Sequence, residues 1–94
     1  MLYYCDFTWH HGTTMQQVRQ RILDQDQANG QIVRRCLKGW YSLAGGGAGF
    51  LLMETEDPAE LTNLLTPYMD LMAWDVRAIY QLDYEQALQR FRSS

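Results

Sequence analysis

Polar and charged residues recur at alternate positions in two short segments that are otherwise apolar. They are Asp6 and Thr8 in residues 2–9, and Asp75, Arg77 and Gln81 in residues 74–82. Such alternation predicts a β-strand, because successive side chains of a strand point to opposite faces of a sheet. A sheet face that carries carboxylates and a guanidinium can form an ion cluster or orient an anionic ligand. The sequence therefore predicts a charged sheet face as the candidate site.

His10 and His11 are the other residues with chemical potential, because imidazole titrates near neutral pH and binds metals. Adjacent histidines point in opposite directions on an extended chain, and the sequence has no third histidine. A metal site would need Asp6 or another carboxylate, and we predict none. His10 follows the same alternation as Asp6, so it is a candidate general base at the mouth of a cleft. A solvated loop or a contact at the start of a helix is the alternative.

Composition excludes several classes of function. The net charge of −3 argues against a nucleic-acid surface, which needs clustered cationic side chains. The basic cluster Arg34, Arg35 and Lys38 is interpreted as a solvated edge strand. We find no signal peptide, no long apolar run and no cofactor motif, so we predict a cytoplasmic protein without membrane contact or cofactor. Cys5 and Cys36 are interpreted as small core residues.

The first half of the chain predicts a strand, a helix and a hairpin. Strand 1 spans residues 2–9, and a Thr14 and Gln17 capping box opens a helix that Asn29-Gly30 ends. Strand 2 is predicted over residues 32–43 and strand 3 over residues 50–55. The glycine-rich segment between them is interpreted as a hairpin connection, because no helix follows it to hold a phosphate. Strand 3 is apolar on both faces, which indicates that both sides of the sheet centre are covered.

The second half predicts a helix, a strand and a terminal helix. Asp57 with Pro58 opens a helix that ends near Thr66, strand 4 spans residues 74–82, and Asp83 caps the last helix. The order is that of a ferredoxin-like α+β fold, βαββαβ, with an antiparallel four-stranded sheet in the order 4-1-3-2 plus a C-terminal helix. We predict one domain over residues 1–94. Its open sheet face must be covered by the last helix, by a partner subunit or by water.

The chain resembles a family of short bacterial proteins of unknown function along essentially its whole length. The resemblance is carried by Tyr3-Tyr4-Cys5-Asp6-Phe7-Thr8-Trp9, by the segment from Gly39-Trp40-Tyr41 to Gly49-Phe50, and by Tyr68-Met69-Asp70-Leu71 to Trp74-Asp75-Val76-Arg77. That family resembles the dimeric α/β-barrel superfamily, which packs two sheets face to face and includes small monooxygenases and isomerases. Its heme-degrading branch uses a histidine on a helix and a pocket asparagine. Here both histidines precede the first helix, so heme degradation is not expected.

The resemblance implies a homodimer that binds a small molecule or serves as an interaction module. The alternative is a cofactor-independent monooxygenase or isomerase that acts on a small apolar or aromatic acid in a cleft between sheet and helices. The catalytic candidates are then His10 and Arg77. The predicted ligand-binding set is Tyr4, Asp6, Thr8, His10, Glu54, Asp75 and Arg77.

Two further expectations concern the surroundings of these residues. Arg77 lying between Asp6 and Glu54 would satisfy its fork of donors, either as an ion cluster that fixes the strand register or the dimer interface, or as a group that orients a ligand. Simple surface exposure is the third possibility. Large aromatic residues are expected to line an apolar pocket or to fill the core, and they are Trp9, Trp40, Tyr41, Trp74 and Tyr80.

Overall fold

The computed structural model describes residues 1–93 and has four strands and three helices in this part of the chain. The elements are β1 Leu2–Trp9, α1 Met15–Cys36, β2 Leu37–Ser42, β3 Ala48–Glu54, α2 Pro58–Leu65, a 3-10 turn Thr66–Tyr68, β4 Met72–Ile79 and α3 Tyr84–Ser93. The strands form one antiparallel sheet in the order β2-β3-β1-β4. The predicted ferredoxin-like order is therefore confirmed. The single domain over residues 1–94 stays a prediction, and Ser94 lies outside the described residues.

The three helices begin where the capping residues predict. The Thr14 hydroxyl accepts from the Gln17 amide at 3.2 Å, and the Gln17 side chain accepts from the Thr14 amide at 2.9 Å. Asp57 accepts from an amide in the first turn of α2 at 3.0 Å, and Asp83 does the same for α3 at 2.9 Å. Each cap satisfies backbone donors that have no partner within the helix.

The predicted end of the first helix at Asn29-Gly30 is wrong. The helix kinks at Asn29, with φ −136° and ψ 17°, and continues to Cys36. It continues because Ile32 and Val33 pack against the core cluster that contains Cys36, so tertiary burial overrides the local stop signal. As a result β2 spans Leu37–Ser42 and not residues 32–43.

Gly30 serves a steric purpose in this continuous helix. The Asp26 carboxylate and the Arg34 guanidinium form an ion pair of 3.0 Å across it, and a Cβ on Gly30 would lie 2.5 Å from atoms of both side chains. The basic cluster is accordingly not an edge strand. Arg34 and Arg35 lie in the last turn of α1, where a positive charge interacts favourably with the helix dipole. Only Lys38 lies in β2.

Pairing with β1 sets the bounds of β3 and β4, which begin and end earlier than predicted. Thr8 pairs with Ala48, so β3 starts two residues before Phe50. Leu2 pairs with Ile79, and since β1 is the only neighbour of β4 in the sheet, β4 ends there and not at Leu82.

Both helices α1 and α2 cover one face of the sheet, and the core on that face forms two clusters. The first cluster contains Cys5, Cys36, Met53, Leu61, Leu64 and Leu65, and the second contains Phe7, Val18, Leu71 and Met72. Burial raises the pKa of the Cys5 thiol to about 11, and it raises the pKa of Cys36 as well. Neither cysteine forms a disulfide. The protonated Cys5 thiol acts as a small apolar group, whereas the Cys36 thiol also donates a hydrogen bond to Glu60 Oε1 at 3.4 Å.

Helix α3 is less buried than α1 and α2. None of the residues 84–93 is buried, and Tyr84 and Phe91 are 73% and 70% exposed. The described chain is elongated, with extents of 53 × 29 × 17 Å and a radius of gyration of 16.1 Å. A compact domain of this length has a radius of gyration of about 12 Å. Within residues 1–93 the apolar side of α3 is therefore only partly covered, with Ala87 and Leu88 half-buried.

Candidate functional site

The strand register brings most of the predicted polar set to the open face of the sheet. Tyr4 lies opposite Arg77 on β4, and Asp6 lies opposite Asp75. Side chains of this parity point away from α1 and α2, because their neighbours in β1, Cys5 and Phe7, are buried beneath the helices. Thr8 and Glu54 share the same face by their register positions.

The polar side chains on this face form two short pairs. Arg77 Nη2 lies 3.0 Å from Asp75 Oδ2, and the Tyr4 hydroxyl donates to Asp6 Oδ2 at 3.3 Å. Within residues 1–93 no ion pair joins Arg77 to Asp6 or Glu54. Partial burial raises the pKa of the Tyr4 hydroxyl, and the Asp6 carboxylate raises it further. Since Arg77 and Asp75 are 73% and 61% exposed, their ion pair contributes little in the single chain.

An aromatic ladder runs beside these polar pairs. The Phe50 ring stacks on Tyr41 on one side and on Tyr4 on the other, with ring centroids 4.8 Å apart in both pairs. It crosses β2, β3 and β1 on the face of the sheet opposite α1 and α2. Tyr41 is 53% exposed and belongs to this ladder, so it neither fills the core nor lines an apolar pocket, which were the two roles expected for it.

His10 lies outside both the polar pairs and the ladder. It follows the end of β1, and its Nε2 lies 3.0 Å from the backbone oxygen of Met69 in the turn before β4. The His10 amide donates to the Leu71 oxygen at 2.9 Å. These contacts are those of an exposed histidine that joins the β1 exit to the β4 turn. A general-base role for His10 stays a prediction.

A cavity of about 530 Å³ lies on the other face of the sheet, under α1. It borders both core clusters and is largely apolar. Its lining residues are Phe7, Trp9, Met15, Val18, Arg19, Ile22, Leu23, Val33, Leu37, Trp40, Ser42, Gly47, Leu51, Met53, Leu64, Leu65, Tyr68, Met72 and Trp74. Three of the five aromatic residues expected to line a pocket are among them. Tyr80 is not, because it follows β4 and is 81% exposed.

Few polar groups border this cavity. Arg19 is the one charged residue among the lining residues, and Tyr68 contributes a hydroxyl whose pKa is raised by burial. The Trp74 ring meets Phe7 and Tyr68 edge to face, with centroids 5.8 and 6.4 Å apart. The Trp74 indole nitrogen is buried and has no acceptor within residues 1–93. An apolar cavity with a few donors is typical of a small-molecule site.

The sequence reasoning missed Arg19 and Tyr68 as cavity residues. A signal for Arg19 was present, because it stands at helical spacing among the apolar residues Met15, Ile22 and Leu23, which line the same cavity. Tyr68 gave a comparable signal, because it stands at helical spacing from Leu61, Leu64 and Leu65, and the last two line the same cavity.

The element order βαββαβ and the antiparallel sheet order β2-β3-β1-β4, with α1 and α2 on one face, define a ferredoxin-like α+β protein. The chain belongs to a family described as a domain of unknown function (DUF3303), whose model matches residues 1–91. No curated protein matches it. No helix in residues 1–93 is both long enough and apolar enough to cross a membrane.

One similar solved structure is that of 5-chloro-2-hydroxyhydroquinone dehydrochlorinase (TftG) from Burkholderia phenoliruptrix, in complex with 2,5-dihydroxybenzoquinone. The sequences are 21% identical, the TM-score is 0.62, and the match covers 87% of this chain and 96% of the other. At this identity the likeness shows the fold, in agreement with the predicted ferredoxin-like architecture.

Proposed function

We propose that the protein is a homodimer that binds a small apolar molecule in the cavity between α1 and the sheet. The cavity itself carries the proposal. Its volume of about 530 Å³ falls within the range of ligand pockets, ~300–1,000 Å³. The cavity opens to solvent where Met15, Leu23 and Trp40 are more than half exposed. A ligand would supply the dispersion contacts and the apolar burial that its lining lacks in the free protein.

The three indole rings that border the cavity favour a flat ligand. Trp9, Trp40 and Trp74 offer large planar surfaces, against which a planar molecule buries the most area. The similar protein TftG holds 2,5-dihydroxybenzoquinone, which is a small flat ring. The similarity to TftG supports a small flat ligand for the cavity but does not indicate a reaction. Catalysis by a cofactor-independent monooxygenase or isomerase stays the alternative prediction.

The open sheet face supports the homodimer. The ladder of Tyr41, Phe50 and Tyr4 leaves aromatic surface uncovered, and aromatic residues and arginine are enriched at protein interfaces. In this proposal the Arg77–Asp75 and Tyr4–Asp6 pairs become internal to the interface, where removing one member costs more than on a surface. The predicted ligand-binding set on this face would then stabilise the dimer, and Arg77 would fix its register.

We assign the dimer to the cytoplasm, as the sequence predicts. Cys5 and Cys36 are both buried as thiols that form no disulfide, which fits a reducing compartment.

Binding is tested with the neutral fluorescent probe N-phenyl-1-naphthylamine. The expected result is saturable binding with one probe per chain, lost in the Leu51→Trp variant because the indole fills the cavity. Leu52→Trp is the matched control: it adds the same bulk on the opposite face of the same strand and should still bind. Ile22→Trp fills the cavity from α1 and should also lose binding. Loss in both variants would show that a folding defect in Leu51→Trp is not the cause. Absence of saturable binding to the unaltered protein would refute the cavity as a ligand site.

The dimer is tested by native mass spectrometry and light scattering. The unaltered protein is expected at twice the chain mass, and Phe50→Glu is expected at the chain mass because it puts a charge in the centre of the ladder. Gln27→Glu adds the same charge on the exposed surface of α1 and should leave the dimer intact. A monomer in the unaltered protein at micromolar concentration would contradict the homodimer while leaving the cavity proposal open to its own test.

A further inference from the structure

The cavity has a single charged residue at its border, and that residue lacks a counter-charge. Arg19 lies on α1 among apolar residues that line the cavity with it. Within residues 1–93 no carboxylate lies within ion-pair distance of its guanidinium. Four other arginines each pair with a carboxylate, at distances between 2.6 and 3.0 Å, and they are Arg21, Arg34, Arg35 and Arg77.

Arg19 does not stabilise the fold through an ion pair, as the four paired arginines do. Arg21 holds the start of β4 through Asp70 and the Pro67 oxygen, and Arg35 joins α1 to α2 through Glu60. Arg19 instead interrupts the apolar side of α1, where a leucine or methionine would continue the cavity lining. A cation beside apolar surface suits an amphiphilic anion, because the apolar part of the anion packs on the surface while its charged group pairs with the cation.

We infer that the cavity takes an apolar organic acid, whose anionic group pairs with Arg19 at the mouth while its flat body lies against the indole rings. This inference rests on the proposed function, since it needs the cavity to be a ligand site. It moves the anion-orienting role from the open face to the helix-covered face. Arg77 is already paired with Asp75 on the opposite side of the sheet.

The mouth of the cavity has the composition that this mode of binding needs. Met15, Leu23 and Trp40 also line the cavity and are 66%, 52% and 57% exposed, so the apolar surface continues outward around the guanidinium. A hydrogen bond between a guanidinium and an acid group is stronger beside such low-polarity surface than in open water. The acid group stays near solvent and escapes the full cost of charge burial.

Two probes with the same aromatic body test the inference. N-phenyl-1-naphthylamine is neutral, and 1-anilinonaphthalene-8-sulfonate carries an added sulfonate that stands in for a carboxylate. The unaltered protein is expected to bind the sulfonate more tightly. Arg19→Gln should weaken sulfonate binding ~10-fold, as loss of a charge-assisted hydrogen bond implies, and leave the affinity for the neutral probe within about 2-fold.

The controls separate a local effect from net charge. Arg34→Gln makes the same change of charge on the same helix, away from the cavity, and should leave both affinities unchanged. Arg19→Lys keeps the charge and should restore part of the preference for the sulfonate. Equal sulfonate affinities for Arg19→Gln and the unaltered protein would overturn the inference, provided that the neutral probe binds. If the neutral probe does not bind either, the proposed function itself fails.

Discussion

Replacing Phe50 with alanine removes the centre of the aromatic ladder, and the loss of stability can be estimated from its two contacts. Both ring pairs have centroids 4.8 Å apart, with interplanar angles of 26° and 23°. Each stacked pair contributes ~0.5–1.5 kcal/mol beyond its buried area, so the two together contribute ~1–3 kcal/mol. Lost burial of the half-buried ring adds about 1 kcal/mol. The expected loss for Phe50→Ala is therefore about 2–4 kcal/mol.

Urea unfolding followed by circular dichroism measures this loss, at several protein concentrations. The stacking contribution lies within one chain and does not depend on concentration, whereas any contribution from a dimer does. Phe50→Leu keeps an apolar side chain and loses only the stacking, so its expected cost is about 1–3 kcal/mol. Tyr41→Leu removes one of the two stacks and should cost about half as much. A loss below about 1 kcal/mol for Phe50→Ala, with an unchanged m-value, would refute this reasoning.

Three further outcomes follow from single contacts. Gly49→Ala should cost about 2 kcal/mol or more in urea unfolding, because its Cβ would lie 2.1 Å from the Tyr41 backbone oxygen; Gly45→Ala, with open space around it, should change stability by less than about 0.5 kcal/mol. The pKa of Glu60 is lowered, mainly by the hydrogen bond from its arginine partner and then by those from its threonine and cysteine partners. Its contribution to stability is thus present above the unfolded pKa and is lost as the pH falls through the folded one, so Glu60→Gln should flatten the fall of Tm with pH below about 4.5. Trp74→Phe should change the free energy of unfolding by about 1 kcal/mol or less, since removing an unpartnered buried N–H offsets the lost ring contacts; a loss of about 3 kcal/mol would contradict this.

Local signals in the sequence were sufficient for the helix starts, whereas the strand order followed from the order of the elements, which is that of a ferredoxin-like fold. Thr14, Asp57 and Asp83 cap helices because their side chains reach amides two or three residues away, which is a local event. The alternation in residues 2–9 predicted which side of β1 is buried for the same reason. Packing decided the end of α1, because the Asn29-Gly30 stop signal yields only a kink once Ile32 and Val33 join the core.

The candidate site was predicted in part, for a physical reason. Alternation along β1 and β4 correctly assigned Asp6 and Arg77 to one face of the sheet. Which carboxylate Arg77 contacts depends on side-chain reach along its own strand, and Asp75 lies closer in sequence than any partner on β3. The cavity depends on how far α1 stands from the sheet. No periodicity in a single chain encodes that distance, so the helical spacing that places Arg19 beside Met15 and Ile22 could not by itself show that a cavity lies there.

The kink at Asn29 divides α1 into segments that the rest of the molecule holds with unequal strength. Residues 30–36 join the cluster around Cys36, whereas residues 15–28 span the cavity and have Val18 as their one buried residue. Amide protons in residues 15–28 should therefore exchange with deuterium through local openings whose free energy is lower than that of openings in residues 30–36. Occupation of the cavity should slow exchange mainly in residues 15–28, which supply five lining residues, whereas residues 30–36 supply only Val33. We therefore expect the helix that the sequence interrupts with Asn29-Gly30 to open as two separate cooperative units, of which residues 15–28 are the less protected.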